Sequence, residues 1–251
     1  MSVITGLTEI IILAGVMGMP TVVLDPGHGG PHAGAVSASG TVEKDVALRV
    51  SKYARQTLEK EGYRVLLTRD KDKYIRLRNR TSFANRNKAD VFVSVHANSS
   101  PAEARRGSET YVLSAIASED VSASKVRLEN EEQDADKVLN EEEFGGGKRA
   151  HKAIDGILRD LKKDVSHKRS ARLAKAIQES LSTVPALTPS RGLRQAPFLV
   201  LKGARMPAVL VEIGYLTHAV QGRQLATRET QRAAGRAIAL GIISYLSQEK
   251  E

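Results

Sequence analysis

Thr21–Glu43, TVVLDPGHGGPHAGAVSASGTVE, decides how the rest of the chain is read. Thr21–Leu24 is a largely β-branched run, and Asp25-Pro26 closes it with a turn signal. Gly27-His28-Gly29-Gly30 then sets a histidine among residues that permit close backbone approach. Glu43 follows in the first turn of an expected helix. A strand end, a glycine-flanked His and a helix-start Glu make a plausible half of a metal site, and the remaining chain is expected to supply the other half.

Reading outward, Glu43–Glu61 places Val46, Val50, Ala54 and Leu58 at helical spacing, with Thr41 positioned to cap its start and Gly62 its end. Tyr63–Thr68 is the next strand, Ile75–Lys88 an arginine-bearing helix, and Val91–Val95 a buried parallel strand that delivers His96-Ala97-Asn98. Glu109–Leu113, Phe198–Leu201 and Ala208–Val211 read as further strands. Ala150–Asp164 and Lys168–Thr183 read as two helices, and Thr230–Ser247 as the closing one. This alternation predicts an α/β fold with helices on both faces of the sheet, in one domain with an insertion. Ligands of such sheets bind beyond the carboxyl ends of the strands, where His28 and His96 both fall.

With 251 residues the chain is long enough for a substantial core. Its net charge of +9 favours an anionic partner such as nucleic acid, an anionic membrane face or a cell-wall polymer. No basic motif interleaved with aromatics supports nucleic acid. The chain has no cysteine, so a metal here must use His and carboxylates. Ile10–Met19 is apolar but too short to span a bilayer, and no Lys or Arg precedes it. Residues 1–20 are expected to be a leader, the junction of a truncation or a first strand, and residues 21–251 the catalytic domain.

Two His and one carboxylate, His28, His96 and Glu43, leave a tetrahedral zinc one open position, as in catalytic rather than structural sites. Each has a blander reading. A His beside glycines is commonly a surface or hydrogen-bonding residue, and a first-turn Glu commonly answers the helix dipole. Glu212, directly after the apolar strand Ala208–Val211, is costly to bury unless it is paired or used. Its functional reading is a general base.

The segments VVLDPGHGG, Glu43 before a helix, L-x-x-R-x-x-x-A-N (Leu77–Asn85), ADVFVSVHAN and AVLVEIGYLT together resemble the zinc-dependent N-acetylmuramoyl-L-alanine amidases. The resemblance runs through most of Thr21–Ser247. It implies a mostly parallel, twisted central sheet flanked by helices, Zn2+ held by His28, Glu43 and His96, and Glu212 as the catalytic residue. The implied reaction is hydrolysis of the amide between N-acetylmuramic acid and L-alanine in peptidoglycan, in the periplasm or elsewhere in the cell envelope. Arg69 and Arg194 are the expected contacts for stem-peptide carboxylates. His32-Ala33-Gly34-Ala35 and His218 depart from the usual family pattern without touching a proposed ligand, and both His residues are read first as loop residues.

Between Glu119 and Glu143 lie ten acids against Lys125, Arg127 and Lys137, an acidic island in a basic chain closed by Gly145-Gly146-Gly147. Composition alone gives a solvated surface helix over Val121–Leu139. The segment also resembles the regulatory helix of the amidases that split septal peptidoglycan at cell division, which covers the active site until an activator protein displaces it. That resemblance makes residues 114–166 a helical regulatory insertion and Glu132 the expected cap on the metal, with Glu129 and Glu131 as neighbouring alternatives. A monomer is expected. The rival readings are another zinc peptidase acting on stem peptides and a non-catalytic wall-binding or activator module on the same fold.

Overall fold

The computed structural model describes residues 18–102, 104–130 and 152–249, with side chains given from 166 onward in the last stretch. Six strands form one sheet: β1 (Thr21–Pro26), β2 (Arg64–Leu67), β3 (Val91–Asn98), β4 (Ser108–Leu113), β5 (Ser190–Ala196) and β6 (Ala208–Tyr215). Their order is β2-β1-β3-β6-β4-β5. β2, β1, β3 and β6 run parallel, while β4 lies antiparallel to β6 and carries β5 parallel to itself. The sheet is therefore mostly parallel, as expected.

The described helices are α1 (Glu43–Lys60), α2 (Leu77–Arg86), α3 (Ala123–Asn130), α4 (Lys152–Ser182), α5 (Ala219–Leu225) and α6 (Arg228–Gln248). Alternate strand residues serve two cores, because side chains leave a strand on opposite faces. Val22, Leu24, Val93, Val95, Val209 and Val211 pack with α1, α4 and α6. Val23, Phe92, Tyr111 and Leu210 pack on the other face with Leu77 and Ala84 of α2 and with Phe198 and Val200. β1, β3 and β6 are buried along their whole length. That burial explains their continuous apolar runs.

The structure differs from the expectations at several elements. The expected helix break at 165–167 is absent, since α4 is one helix of 31 residues. No Gly or Pro stands between Asp164 and Lys168 to end it. The same helix runs through 166, the expected end of the insertion. Leu199–Leu201 is a 3₁₀ turn rather than a strand, a case where a short apolar run does not distinguish the two. β5 and α5 were not anticipated; β5 is a polar edge strand, SRGLRQA, without the apolar alternation that marks a strand. Val42, not Thr41, takes the N-cap position of α1, with no side-chain cap. Residues 1–17, Glu131, Glu132 and the rest of 131–151 lie outside the described residues. Among the described residues, no helix is long and apolar enough to cross a membrane.

Candidate metal centre

His28 follows β1, Glu43 opens α1, and His96 and Glu212 lie within the last turns of β3 and β6. His96 pairs in register with Glu212, which pairs on its other side with Glu109 of β4. Three parallel strand ends and one helix start thus converge on a single point, as the open-sheet rule anticipates.

His28 Nε2 and His96 Nδ1 each lie 3.0 Å from Glu43 Oε1. Glu129 Oε2, from α3, lies 3.0 Å from His96 Nδ1 and 3.9 Å from His28 Nε2. The four donor atoms are all within 4.8 Å of one another. A tetrahedral zinc with bonds of about 2.0–2.1 Å needs donors about 3.3 Å apart, so these residues fit such an ion in both spacing and chemistry. The Glu43 carboxylate is aimed by two backbone donors, Ala97 N–H to Oε1 at 3.0 Å and Ala35 N–H to Oε2 at 2.7 Å. Burial works to raise its pKa, but the two imidazoles prevail and hold it well below the usual carboxylate range. Burial likewise opposes a proton on His96, yet the Glu129 and Glu43 carboxylates raise its pKa well above the ordinary imidazole value.

The loop beneath the cluster is held unusually tightly. His28 has φ of 57°, in the left-handed region that costs a non-glycine residue on the order of 1 kcal/mol or more. Two buried arginines hold the carbonyls around it. Arg80 donates to Pro26 O, to His28 O and to Asp25 Oδ1 at 2.9–3.0 Å. Arg69 donates to Pro26 O, Gly27 O and Lys44 O. Asp25 in turn accepts from Ser94 Oγ and Thr68 Oγ1. Two glycines leave room for the donors themselves: a Cβ on Gly27 would enter the His96 ring, and one on Gly34 would stand 2.5 Å from Glu43 Oε2.

Arg69 is 3% exposed with its guanidinium directed at carbonyls, so it braces the loop rather than facing a ligand from the cleft. Arg194 donates to Asp120 Oδ1 at 2.9 Å. His218 caps α5, its Nδ1 accepting from the Val220 and Gln221 N–H groups, and His32 stacks on Tyr74.

Glu212 is fully buried, and among the described residues its charged neighbour is Lys125 of α3, with Nζ 3.1 Å from Oε1. Burial pushes its pKa up to about 7 against the pull of Lys125, near the range a general base requires. The same ammonium lies 3.0 Å from Glu109 Oε1 and 3.1 Å from Tyr111 Oη. Lys125 and Glu129 are one helical turn apart, so one face of α3 meets both the base and the metal donors.

Sequence reasoning missed Arg80, Glu109 and Lys125. Arg80 was visible as the arginine of Leu77–Asn85, without a stated task. Glu109 gathers Asn98, Tyr111, Tyr215, Lys125 and Arg191 around one carboxylate. Its signal was a carboxylate opening the expected strand Glu109–Leu113, whereas Glu212 was singled out by following one. Glu132, the expected cap, lies outside the described residues, and among those described its alternative Glu129 stands beside the donors.

Residues 22–244 match a family model described as N-acetylmuramoyl-L-alanine amidase. The chain is 35% identical over 231 residues to the N-acetylmuramoyl-L-alanine amidase AmiA of Escherichia coli K12, covering 91% of this chain and 76% of that protein. It is 32% identical to AmiC of Neisseria meningitidis serogroup B, covering 91% of this chain but 53% of AmiC, about half its length. The solved structure of AmiC2 of Nostoc punctiforme superposes with a TM-score of 0.65 at 30% identity, covering 91% of this chain and 97% of that one.

Proposed function

Because this chain belongs to the N-acetylmuramoyl-L-alanine amidase family, we propose that it hydrolyses the bond between N-acetylmuramic acid and L-alanine in peptidoglycan with Zn2+ held by His28, Glu43 and His96. The observation that carries the reading is a fully buried carboxylate, Glu212, one strand away from a cluster of metal-ligating donors. Zinc bound there would polarise the scissile carbonyl and make water nucleophilic near neutral pH.

The protein groups divide the remaining work. Glu43, fixed by two N–H groups, keeps the imidazoles in place and balances the ion's charge. Glu212 takes the proton of the attacking water and returns it to the leaving L-alanine amine.

In the closed arrangement neither group is available. Glu129 stands among the metal donors and Lys125 pairs with Glu212. We propose that α3 is an autoinhibitory element displaced by an activator protein, and that the enzyme acts as a monomer in the periplasm or another part of the cell envelope, in wall remodelling and daughter-cell separation. Glu129, which stands beside the donors among the described residues, is the cap we propose, and Glu132 lies outside those residues.

The test pairs metal analysis with product identification. Wild type should bind about one zinc per chain and release stems with new L-alanine amino termini from purified peptidoglycan, detected by mass spectrometry. His96→Ala should lose both. Cleavage within the stem peptides instead would favour the peptidase reading.

A further inference from the structure

We propose that Arg191 and Arg194 form a subsite for a carboxylate of the peptidoglycan stem peptide, and that Asp120 occupies it as an internal substitute while α3 is closed. The inference rests on the amidase reading and assigns that site a way to recognise its substrate.

The local backbone builds the pair. Residues 191 and 194 are an odd number apart, so on a regular strand they would leave opposite faces. β5 is not regular: Ser190 pairs with Ser108 and Leu193 with Thr110, so β5 has one extra residue against β4. Gly192, at φ 78°, lies within that bulge. Both guanidinium groups thereby reach the same carboxylate. Arg194 Nη1 donates to Asp120 Oδ1 at 2.9 Å, and Arg191 Nη2 to Oδ2 at 3.3 Å.

Each arginine keeps capacity for a better acceptor. Arg191 is oriented from behind by Nε–H to Glu109 Oε2 at 3.0 Å, and the buried Arg194 Nε–H has no acceptor among the described residues. A guanidinium fork prefers two parallel bonds to one carboxylate, and Asp120 gives each fork only one. The bland alternative is an ordinary surface ion pair, which contributes little to stability. It would not account for a bulge that turns two arginines onto one acid at the rim of the reaction centre.

Position fits the substrate. Arg191 lines a cavity of about 300 Å³ with Asn98, Arg105, Glu109, Lys125 and Tyr215. Glu212, Glu109 and Arg191 lie on three successive strands, so the subsite is two strand spacings, about 10 Å, from the general base. An extended chain advances about 3.3–3.6 Å per residue, which places a carboxylate of the second or third stem residue there. Asp120 lies three residues before the first residue of α3, and Arg105 also holds its carbonyl at 3.2 Å. Displacing α3 would therefore withdraw Asp120, Lys125 and Glu129 together, opening the subsite, the base and the metal donors in one movement.

The test needs no turnover. Binding of a free stem tetrapeptide to the full chain is measured by calorimetry, with analogues amidated at the second or the third residue to identify the carboxylate. Asp120→Asn should tighten binding about threefold or more by removing the competitor. Adding Arg194→Gln, whose target has no other described bond to lose, should reverse the gain. Amidation at the recognised residue should weaken binding to Asp120→Asn and weaken binding to the Arg194→Gln double variant less, because Arg191 remains. Unchanged or weaker binding by Asp120→Asn, or indifference to Arg194→Gln or to amidation at both residues, would overturn the subsite. Peptide binding that follows this pattern without peptidoglycan hydrolysis would instead overturn the amidase reading alone.

Discussion

The two sides of the site are built in opposite ways. The floor, formed by the His28 loop, Glu43 and His96, is buried and cross-braced by Asp25, Arg69 and Arg80. The cover, α3, has no fully buried residue; it is held by Lys125, Glu129, and Asn130 on Pro197 O and the Leu199 N–H, with the partly buried Val126 packed against the core. A metal site gains from donors that need not rearrange, whereas a cover that must leave can be only a few kcal/mol more stable closed than open. On the proposed reading, the braced side of the site carries the chemistry and the more lightly held side would carry the control.

Glu212→Gln breaks the contrast at its centre. In the proposed mechanism it removes proton transfer while leaving the floor intact, so peptidoglycan hydrolysis should fall about 10²–10⁴-fold with zinc content unchanged. Full activity in the zinc-loaded variant would remove Glu212 from its role.

The next effect compares stability. Arg80→Met leaves Asp25 buried without its cation and should cost about 3–5 kcal/mol in chemical denaturation. Glu129→Ala, on the cover, should cost about 1 kcal/mol or less. Equal losses would contradict the division into floor and cover.

Control should respond in reverse. Lys125→Met and Glu129→Gln should each raise basal hydrolysis about tenfold, equivalent to about 1.4 kcal/mol of cover stability. Glu132→Gln should raise it less than Glu129→Gln. The opposite ranking would restore Glu132 as the cap.

The smallest effect is a pH dependence of closure. Burial would raise the Glu109 pKa, but Lys125, Tyr111 and Arg191 lower it from 4.5 to about 2. A carboxyl depressed in the folded state contributes stability above its ordinary pKa and loses it as pH falls through the depressed one. Hydrogen-exchange protection of α3 should therefore decline between pH 4.5 and 2, and Lys125→Met should flatten that decline. Protection that rises on acidification would contradict the assignment.

How much could be read in advance follows the same division. His28, Glu43, His96 and Glu212 were legible because each sits at a strand end or helix start with a local signal. The sheet's inner strands were legible from their continuous apolar runs. Arg80, Glu109 and Lys125 have tasks set by partners up to 106 positions away, as between Glu109 and Tyr215, and no local pattern announces such pairings. β5 was obscured by polar residues and a bulge, which are the features that bring Arg191 and Arg194 together. The acidic island was recognised, but one helical turn decides whether Glu129 or Glu132 faces the donors, and composition carries no such phase.

The most direct test of a regulated amidase is a digest of purified peptidoglycan by wild type and by a Lys125→Met, Glu129→Gln double variant, with products identified by mass spectrometry. The account predicts new L-alanine amino termini from both, released at least tenfold faster by the double variant. Equal rates would contradict the cover, and the absence of L-alanine termini from both would contradict the amidase.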